Sequence, residues 1–119
     1  MRKTSHSEKM IMDILWRNER PLTTAEILQQ LPEGKSWKQN TVITFLSRLT
    51  EKELVTATKI GRAHHYEALL TEEEYRAFET KQFISDVHEG SVSGFLQTLT
   101  ESGDLTKKDI EDVMKKLRK

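Results

Sequence analysis

Residues 35–49 carry the side chains of this chain that are best suited to specific hydrogen bonding. The apolar residues of the segment recur at the i, i+3, i+4 and i+7 spacing of one helix face, and they are Val42, Phe45, Leu46 and Leu49. The rest of such a helix presents short polar side chains with one guanidinium on the flank, namely Asn40, Thr41, Thr44, Ser47 and Arg48. Side chains of these types hydrogen-bond to base edges in the major groove of DNA, which accepts an α-helix. For the segment alone, an ordinary amphipathic surface helix is the favoured interpretation, and the elements that follow in the chain reverse this preference.

Two shorter helices are predicted ahead of this segment. Each begins at a capping box, in which a Ser or Thr is followed three residues later by Glu, at residues 5–8 and 23–26. Each ends in a stretch that contains proline, at residues 17–21 and 32–34. The start of the third helix stays open, because Ser36 and Gln39 have capping-box spacing while Lys38 is an alternative boundary residue.

A β-hairpin with a basic tip is predicted after the third helix. Residues 54–59 and 63–68 are typical of strands, with Ile60-Gly61 between them and with Lys59 and Arg62 flanking the turn. Three short helices followed by a hairpin predict a mainly α fold with a small β-hairpin, a winged helix-turn-helix domain. In that fold the third helix reads the groove and the hairpin reaches the phosphate backbone. The predicted DNA-contacting residues are therefore Lys38, Asn40, Thr41, Thr44, Ser47, Arg48, Lys59 and Arg62.

The last third of the chain is predicted to be helical. Its three helices have narrow apolar stripes, and about 50 residues with so little apolar surface do not form a stable core alone. Pairing with the same segment of a second copy would bury the stripes. We therefore expect a winged-helix DNA-binding domain over residues 1–70 and a helical dimerisation segment over residues 71–119. The predicted dimer contacts are Tyr75, Phe78, Phe83, Val87, Phe95, Leu96, Leu99, Ile110, Val113 and Leu117.

Charge and composition favour a binding protein in the cytoplasm. Residues 1–69 hold 11 Lys and Arg against 8 Asp and Glu, whereas residues 70–119 hold 8 against 11. A basic first part suits a DNA-reading domain, and an acidic last part suits a segment that contacts protein. The chain has no Cys, which excludes disulfides and thiolate metal sites. No apolar run approaches the roughly 20 residues of a membrane span.

Catalytic and metal-binding patterns are missing from the sequence. His64 and His65 are adjacent on a predicted strand, so their side chains point to opposite faces and are poorly placed to share one ion. The acidic run at residues 72–74 complements the dipole of a helix start. No phosphate loop, nucleophile elbow or HExxH pattern occurs. We therefore expect no cofactor, no metal and no enzymatic activity. A winged-helix module that binds protein instead of DNA is the alternative function.

Short motifs follow one another in a specific order along the chain. They are Ser7-Glu8, Ile14-Leu15-Trp16, Thr24-Ala25-Glu26-Ile27, Trp37, Asn40-Thr41-Val42, Thr44, Leu46, Arg48-Leu49, Gly61-Arg62, Tyr66, Phe83-Ile84, Val87 and Gly90. This ordered set resembles the penicillinase-repressor family, the BlaI, MecI and CopY group of winged-helix repressors. The resemblance covers nearly the whole chain. It implies a homodimer that binds a palindromic operator and represses genes for antibiotic resistance or copper handling.

Several positions depart from the family pattern. Lys38-Gln39 stands where the family often has Ser-Pro, and Ile43 stands where it often has a basic residue. The absence of Cys excludes the Cys-rich copper motif of one branch. In the β-lactam branch a sensor-linked protease pathway leads to cleavage of an Asn-Phe bond, and the corresponding bond here is Thr98-Leu99. The alternative to proteolysis is therefore a small ligand that binds between the two copies of residues 71–119 and causes release of the operator.

Overall fold

The structure is a computed structural model that describes residues 4–32 and 36–118. In order, these residues form α1 (His6–Asn18), α2 (Thr24–Gln29), α3 (Gln39–Glu51), β1 (Val55–Ile60), β2 (Ala63–Ala68), α4 (Glu72–His88), α5 (Val92–Ser102) and α6 (Lys107–Leu117). The predicted fold class, mainly α with a small hairpin, is confirmed. The chain divides into two compact units between Arg76 and Ala77. Residues 33 and 34 of the predicted helix break lie outside the described residues, as does residue 35, the first of the 35–49 segment.

Capping boxes start α1 and α2 where the sequence predicts them. The Ser5 hydroxyl accepts the Glu8 N–H, and the Glu8 carboxylate accepts the Ser5 N–H. Thr23 and Glu26 repeat this arrangement at α2. The Thr23 N–H, followed by the Arg20 guanidinium, lowers the pKa of Glu26 to about 2. These local hydrogen bonds satisfy amides that the first helical turn leaves without partners.

The helix α3 begins without a side-chain cap. Its N-cap residue is Lys38, which makes no side-chain capping hydrogen bond. The structure thus selects Lys38 over Ser36 as the boundary residue. Because a Lys side chain has no acceptor for backbone N–H groups, the first turn of α3 depends on its tertiary contacts.

A continuous apolar core joins α1, α2, α3 and β1 in the first unit. Its buried members are Ile11, Met12, Ile14, Leu15, Leu22, Ile27, Val42, Leu46, Leu49, Leu54 and Val55. Leu22 lies between α1 and α2 and exchanges two backbone hydrogen bonds with Tyr66 of β2, at 2.9 and 2.7 Å. This bridge fixes the base of the hairpin to the helical core.

The hairpin has a two-residue turn made of Gly61 and Arg62. Ile60 pairs with Ala63 and Lys59 pairs with His64, so β1 extends one residue beyond its predicted end, whereas β2 begins at Ala63 as predicted. The predicted turn at Ile60-Gly61 was therefore wrong by one position. Gly61 has a φ of 64°, which a residue without Cβ adopts easily at the first position of such a turn.

The second unit holds the rest of α4 together with α5 and α6. Neither α5 nor α6, both wholly described, contains a buried residue. Three aromatic rings, those of Phe83, His88 and Phe95, lie within 6.0 Å of one another by their centroids. Among the described residues, no helix has the length and apolar character that crossing a membrane requires.

Candidate DNA-binding surface

The third helix is oriented as its sequence pattern predicts. Val42, Leu46 and Leu49 have no exposed surface and anchor α3 in the core of the first unit. Phe45 is half-buried, and its ring lies 5.1 Å from that of Trp37. The remaining side faces solvent. It exposes Lys38, Asn40, Thr44, Ser47 and Arg48, and it leaves Thr41 half-buried.

Two contacts restrict the polar side chains of α3. The Arg48 guanidinium carbon lies 5.6 Å from the centroid of the Phe45 ring, which is within the range of a cation–π interaction. The Thr44 hydroxyl donates to the Asn40 carbonyl at 3.0 Å. Its oxygen lone pairs stay available to accept a hydrogen bond from outside. The helix therefore presents a hydrogen-bonding surface with limited conformational freedom.

The end of α3 is held by a buried ion pair. Glu8 of α1 is 1% exposed, and the Lys52 ammonium donates to its carboxylate at 2.5 Å. Burial on its own raises the pKa of Glu8, but Lys52 and the Ser5 N–H outweigh it and hold the pKa below its ordinary value. The pair ties the C-terminal end of α3 to α1. No local sequence pattern indicates this pair, because the two residues are 44 positions apart.

A groove separates α3 from the hairpin and joins residues that are distant in sequence. Its lining residues are Thr23, Thr24, Ala25, Gln39, Ile43, Arg62, Ala63, His64 and Tyr66. Gln39, Ile43 and His64 are not among the DNA-contacting residues predicted from the sequence. A signal for two of them was present, because Gln39, Ile43 and Ser47 follow the i, i+4, i+8 spacing of one helix edge.

The hairpin contributes two exposed cations. Lys59 and Arg62 are both exposed, and neither forms an ion pair with a described acidic residue. The same holds for Lys38 and Arg48 of α3. Arg62 lines the groove beside α3, whereas Lys59 is not part of the groove lining. Uncompensated cations next to a polar helix face are typical of surfaces that bind a polyanion.

The predicted dimer contacts fall into two groups. Tyr75 belongs to the first unit, where it is 6% exposed. Its ring lies 5.1 Å from that of Trp16, and its hydroxyl forms a hydrogen bond with that of Thr4. The indole N–H of Trp16 donates to the Leu70 carbonyl at 3.0 Å, which fixes the approach to α4. The contacts of Tyr75 therefore stabilise the first unit.

The other predicted dimer contacts lie in the second unit. Phe78, Phe95 and Leu99 are half-buried there. The exposed members of the set are Phe83, Val87, Leu96, Ile110, Val113 and Leu117. The Thr98-Leu99 bond is inside α5, and the Thr98 hydroxyl donates to the Gly94 carbonyl at 3.2 Å.

Comparisons with known proteins agree with this geometry. The solution structure of the DNA binding domain of the repressor BlaI superimposes with a TM-score of 0.53 at 28% identity, over 63% of this chain and 94% of that one. The predicted winged helix-turn-helix fold is thereby confirmed. The methicillin resistance regulatory protein MecI of Staphylococcus aureus (strain N315) is 25% identical over 115 residues, which are 97% of this chain and 93% of MecI. The transcriptional regulator BlaI of Mycobacterium tuberculosis (strain H37Rv) is 36% identical over 59 residues, which are 50% of this chain and 43% of that protein.

The family assignment rests on nearly the full length of the chain. The profile of the penicillinase repressor family matches residues 4–119, which include both compact units. The motifs singled out in α1, α2, α3 and the hairpin all lie within this match. The chain belongs to the penicillinase repressor family.

Proposed function

We propose that this chain is a cytoplasmic transcriptional repressor that binds a palindromic DNA operator as a homodimer. Its family and its solved neighbour already indicate a DNA-binding transcriptional repressor. The observation that carries the proposal is the exposed polar face of α3 beside cations that no described acidic residue neutralises. We propose that its target genes are those of antibiotic resistance, as the name of MecI indicates for that relative, or those of copper handling, as the family resemblance implies.

In this proposal α3 enters the major groove. Thr41, Thr44 and Arg48 contact base edges together with Asn40 and Ser47, because this face is the one turned away from the core. An Arg at such a position forms bidentate hydrogen bonds with guanine, the commonest specific contact in protein–DNA complexes. Phosphate contacts position the protein but carry no sequence information, and they fall to Lys38, Lys59 and Arg62.

Dimerisation is assigned to the helical segment over residues 71–119, and DNA binding to residues 1–70. The support is the exposure of large apolar side chains on α6, where Val113 is 57% and Leu117 is 73% exposed. Burial of such surface against a second copy contributes about 25 cal/mol per Å². When two DNA-binding domains are linked in one dimer, binding of the first half-site gives the other domain a high effective concentration at the second half-site. The half-sites should be about one helical turn apart, or a multiple of it.

Separation of the two tails, which are residues 71–119 of each copy, is the proposed route to derepression. A sensor-linked protease that cuts Thr98-Leu99 is one such event, and a small ligand that binds between the tails is the alternative. The bond lies in the middle of α5, so a protease would have to unwind that helix before cleavage. A ligand that binds between the tails needs no such unwinding.

The test begins with selection of bound duplexes from a random pool by the full chain. Arg48→Ala should weaken binding to the recovered palindrome by about tenfold or more, with unchanged helicity, because a bidentate base contact is worth about 1–3 kcal/mol. Arg17→Ala is the matched control, since Arg17 is an exposed Arg in the last turn of α1. Unchanged affinity of the Arg48 variant would remove α3 as the reading helix. A failure to bind any duplex at low salt would favour the protein-binding alternative.

A further inference from the structure

Ile43 is a large apolar residue on the solvent side of the reading helix. It is 39% exposed, and the residues around it on that side of the helix are polar. Single exposed apolar residues are common on protein surfaces, so exposure alone carries little weight. Its location is more informative, because Ile43 lines the groove between α3 and the hairpin together with Gln39, Arg62 and His64.

The chemistry of an isoleucine side chain limits what it can contact in DNA. It neither donates nor accepts a hydrogen bond, so packing it against a base donor or acceptor would bury a polar group without a partner. The major groove offers one apolar feature, the 5-methyl group of thymine. We propose that Ile43 is a specificity-determining residue that contacts the 5-methyl group of one thymine in each half-site. This inference rests on the proposed DNA-binding function.

The neighbours of Ile43 fit this role. Ile43 is the fifth residue of α3, and the N-terminal part of a reading helix is the part that contacts base edges. Gln39 lies one turn before it, with an amide that matches the donor and acceptor pattern of adenine. Arg62 lies across the groove, where its guanidinium would hold a phosphate. A base pair between these two side chains would present its major-groove edge to Ile43.

The test uses deoxyuridine, which differs from thymidine only by the missing methyl group. Duplexes selected by the full chain are remade with each thymine replaced singly in both half-sites. The wild-type chain should lose about fourfold in affinity per half-site at one position, the factor expected for burial of one methyl group. Ile43→Ser should bind the thymine and uracil duplexes equally, with about the affinity that the wild type has for the uracil duplex.

Ile60→Ser is the control, because Ile60 is also an exposed isoleucine but is not part of the groove lining. It should keep the thymine-to-uracil ratio of the wild type, whatever its overall affinity. Circular dichroism and thermal melting establish that each variant is folded. If no thymine is sensitive in the wild type, or if Ile43→Ser keeps the sensitivity, this inference is wrong while the proposed function stands. If the full chain binds no duplex, the proposed function fails and the inference fails with it.

Discussion

The two units of this chain differ in where their apolar side chains lie. In the first unit, residues such as Ile11, Leu22 and Leu46 have no exposed surface, and the side chains left outside are mostly polar. In the second unit, α5 and α6 contain no fully buried residue, and Val113 and Leu117 are more than half exposed. A segment that has an apolar face but no core of its own needs a partner to become stable. The comparison predicts that the first unit is stable alone and that the second depends on protein concentration.

The largest effect is expected from the buried ion pair of the first unit. Lys52→Met leaves the Glu8 carboxylate buried without its cation, which should lower the free energy of unfolding by about 3–5 kcal/mol. The loss should be independent of protein concentration, because Lys52 lies outside the second unit. Denaturant titration at two concentrations measures both properties. A loss that shrinks at high concentration would show that the first unit is not independent.

The same ion pair sets a pH dependence. The folded pKa of Glu8 is below its ordinary value, so the stabilisation it provides is complete above that value. It should be lost as the pH falls from the ordinary range of a Glu through the lower folded pKa. The Lys52→Met variant, which lacks the cation, should lose less stability over that range than the wild type. Equal pH profiles for both proteins would contradict the role of Lys52.

Removal of the exposed helices tests the second unit. A chain truncated after Gly90 keeps the whole first unit but lacks α5 and α6. Its affinity for the palindrome should fall by about 100-fold or more. Without the dimer link, the domain that binds the second half-site is no longer held near it at a high effective concentration. Its affinity for a single half-site should equal that of the full chain. Equal binding of the palindrome by fragment and full chain would show that the tail is not the dimer link.

A single charge on α6 should produce a smaller effect of the same kind. Val113→Asp introduces an ion at a site that is open in one chain but buried in the proposed dimer. Light scattering on the wild type should give about twice 13.9 kDa, and the variant should approach 13.9 kDa as it is diluted. Palindrome affinity should fall by about tenfold. Glu111→Ala, an exposed polar change on α6, is the control. A monomeric wild type with a folded tail would contradict the dimer.

The smallest effects should come from the hairpin. Lys59→Ala and Arg62→Ala should each weaken binding by about threefold to all duplexes alike and reduce the salt slope by about 1. Arg62 should matter more, because it lines the groove beside α3 whereas Lys59 does not. Affinity measured from 50 to 200 mM salt gives the slopes. A loss confined to one sequence would move the affected residue from phosphate contact to base reading.

Local patterns made much of this fold predictable from the sequence. The pairs Ser5 with Glu8 and Thr23 with Glu26 start helices through hydrogen bonds between residues three apart. The apolar stripe of α3 likewise gives the buried face, because helix geometry alone decides which side chains lie together. Such features depend on nearby residues and need no knowledge of the tertiary structure.

Contacts between distant residues were not predictable in this way. Tyr75 has the spacing of the α4 stripe, yet it packs on Trp16 in the first unit. The hydrogen bonds between Leu22 and Tyr66 and the groove that brings Ile43 to the hairpin also depend on how separate elements pack. In addition, Ile43 was not predicted as a site residue, because the solvent-facing side of α3 was identified by its polar residues and Ile43 is apolar.

The hairpin is anchored at only one end, and this has a consequence for its motion. Val55 is 1% exposed beside the core, while Ile60 at the far end is 56% exposed. Regions with few buried contacts open locally at a lower free energy than the global unfolding reaction. Amide hydrogen exchange should therefore be slower at Leu22 and Tyr66, which form the bridge at the base of the hairpin, than at the amides near Ile60. Under the proposed DNA-binding function, a tip that opens independently would follow differences in groove width between half-sites, while α3 keeps its place in the core.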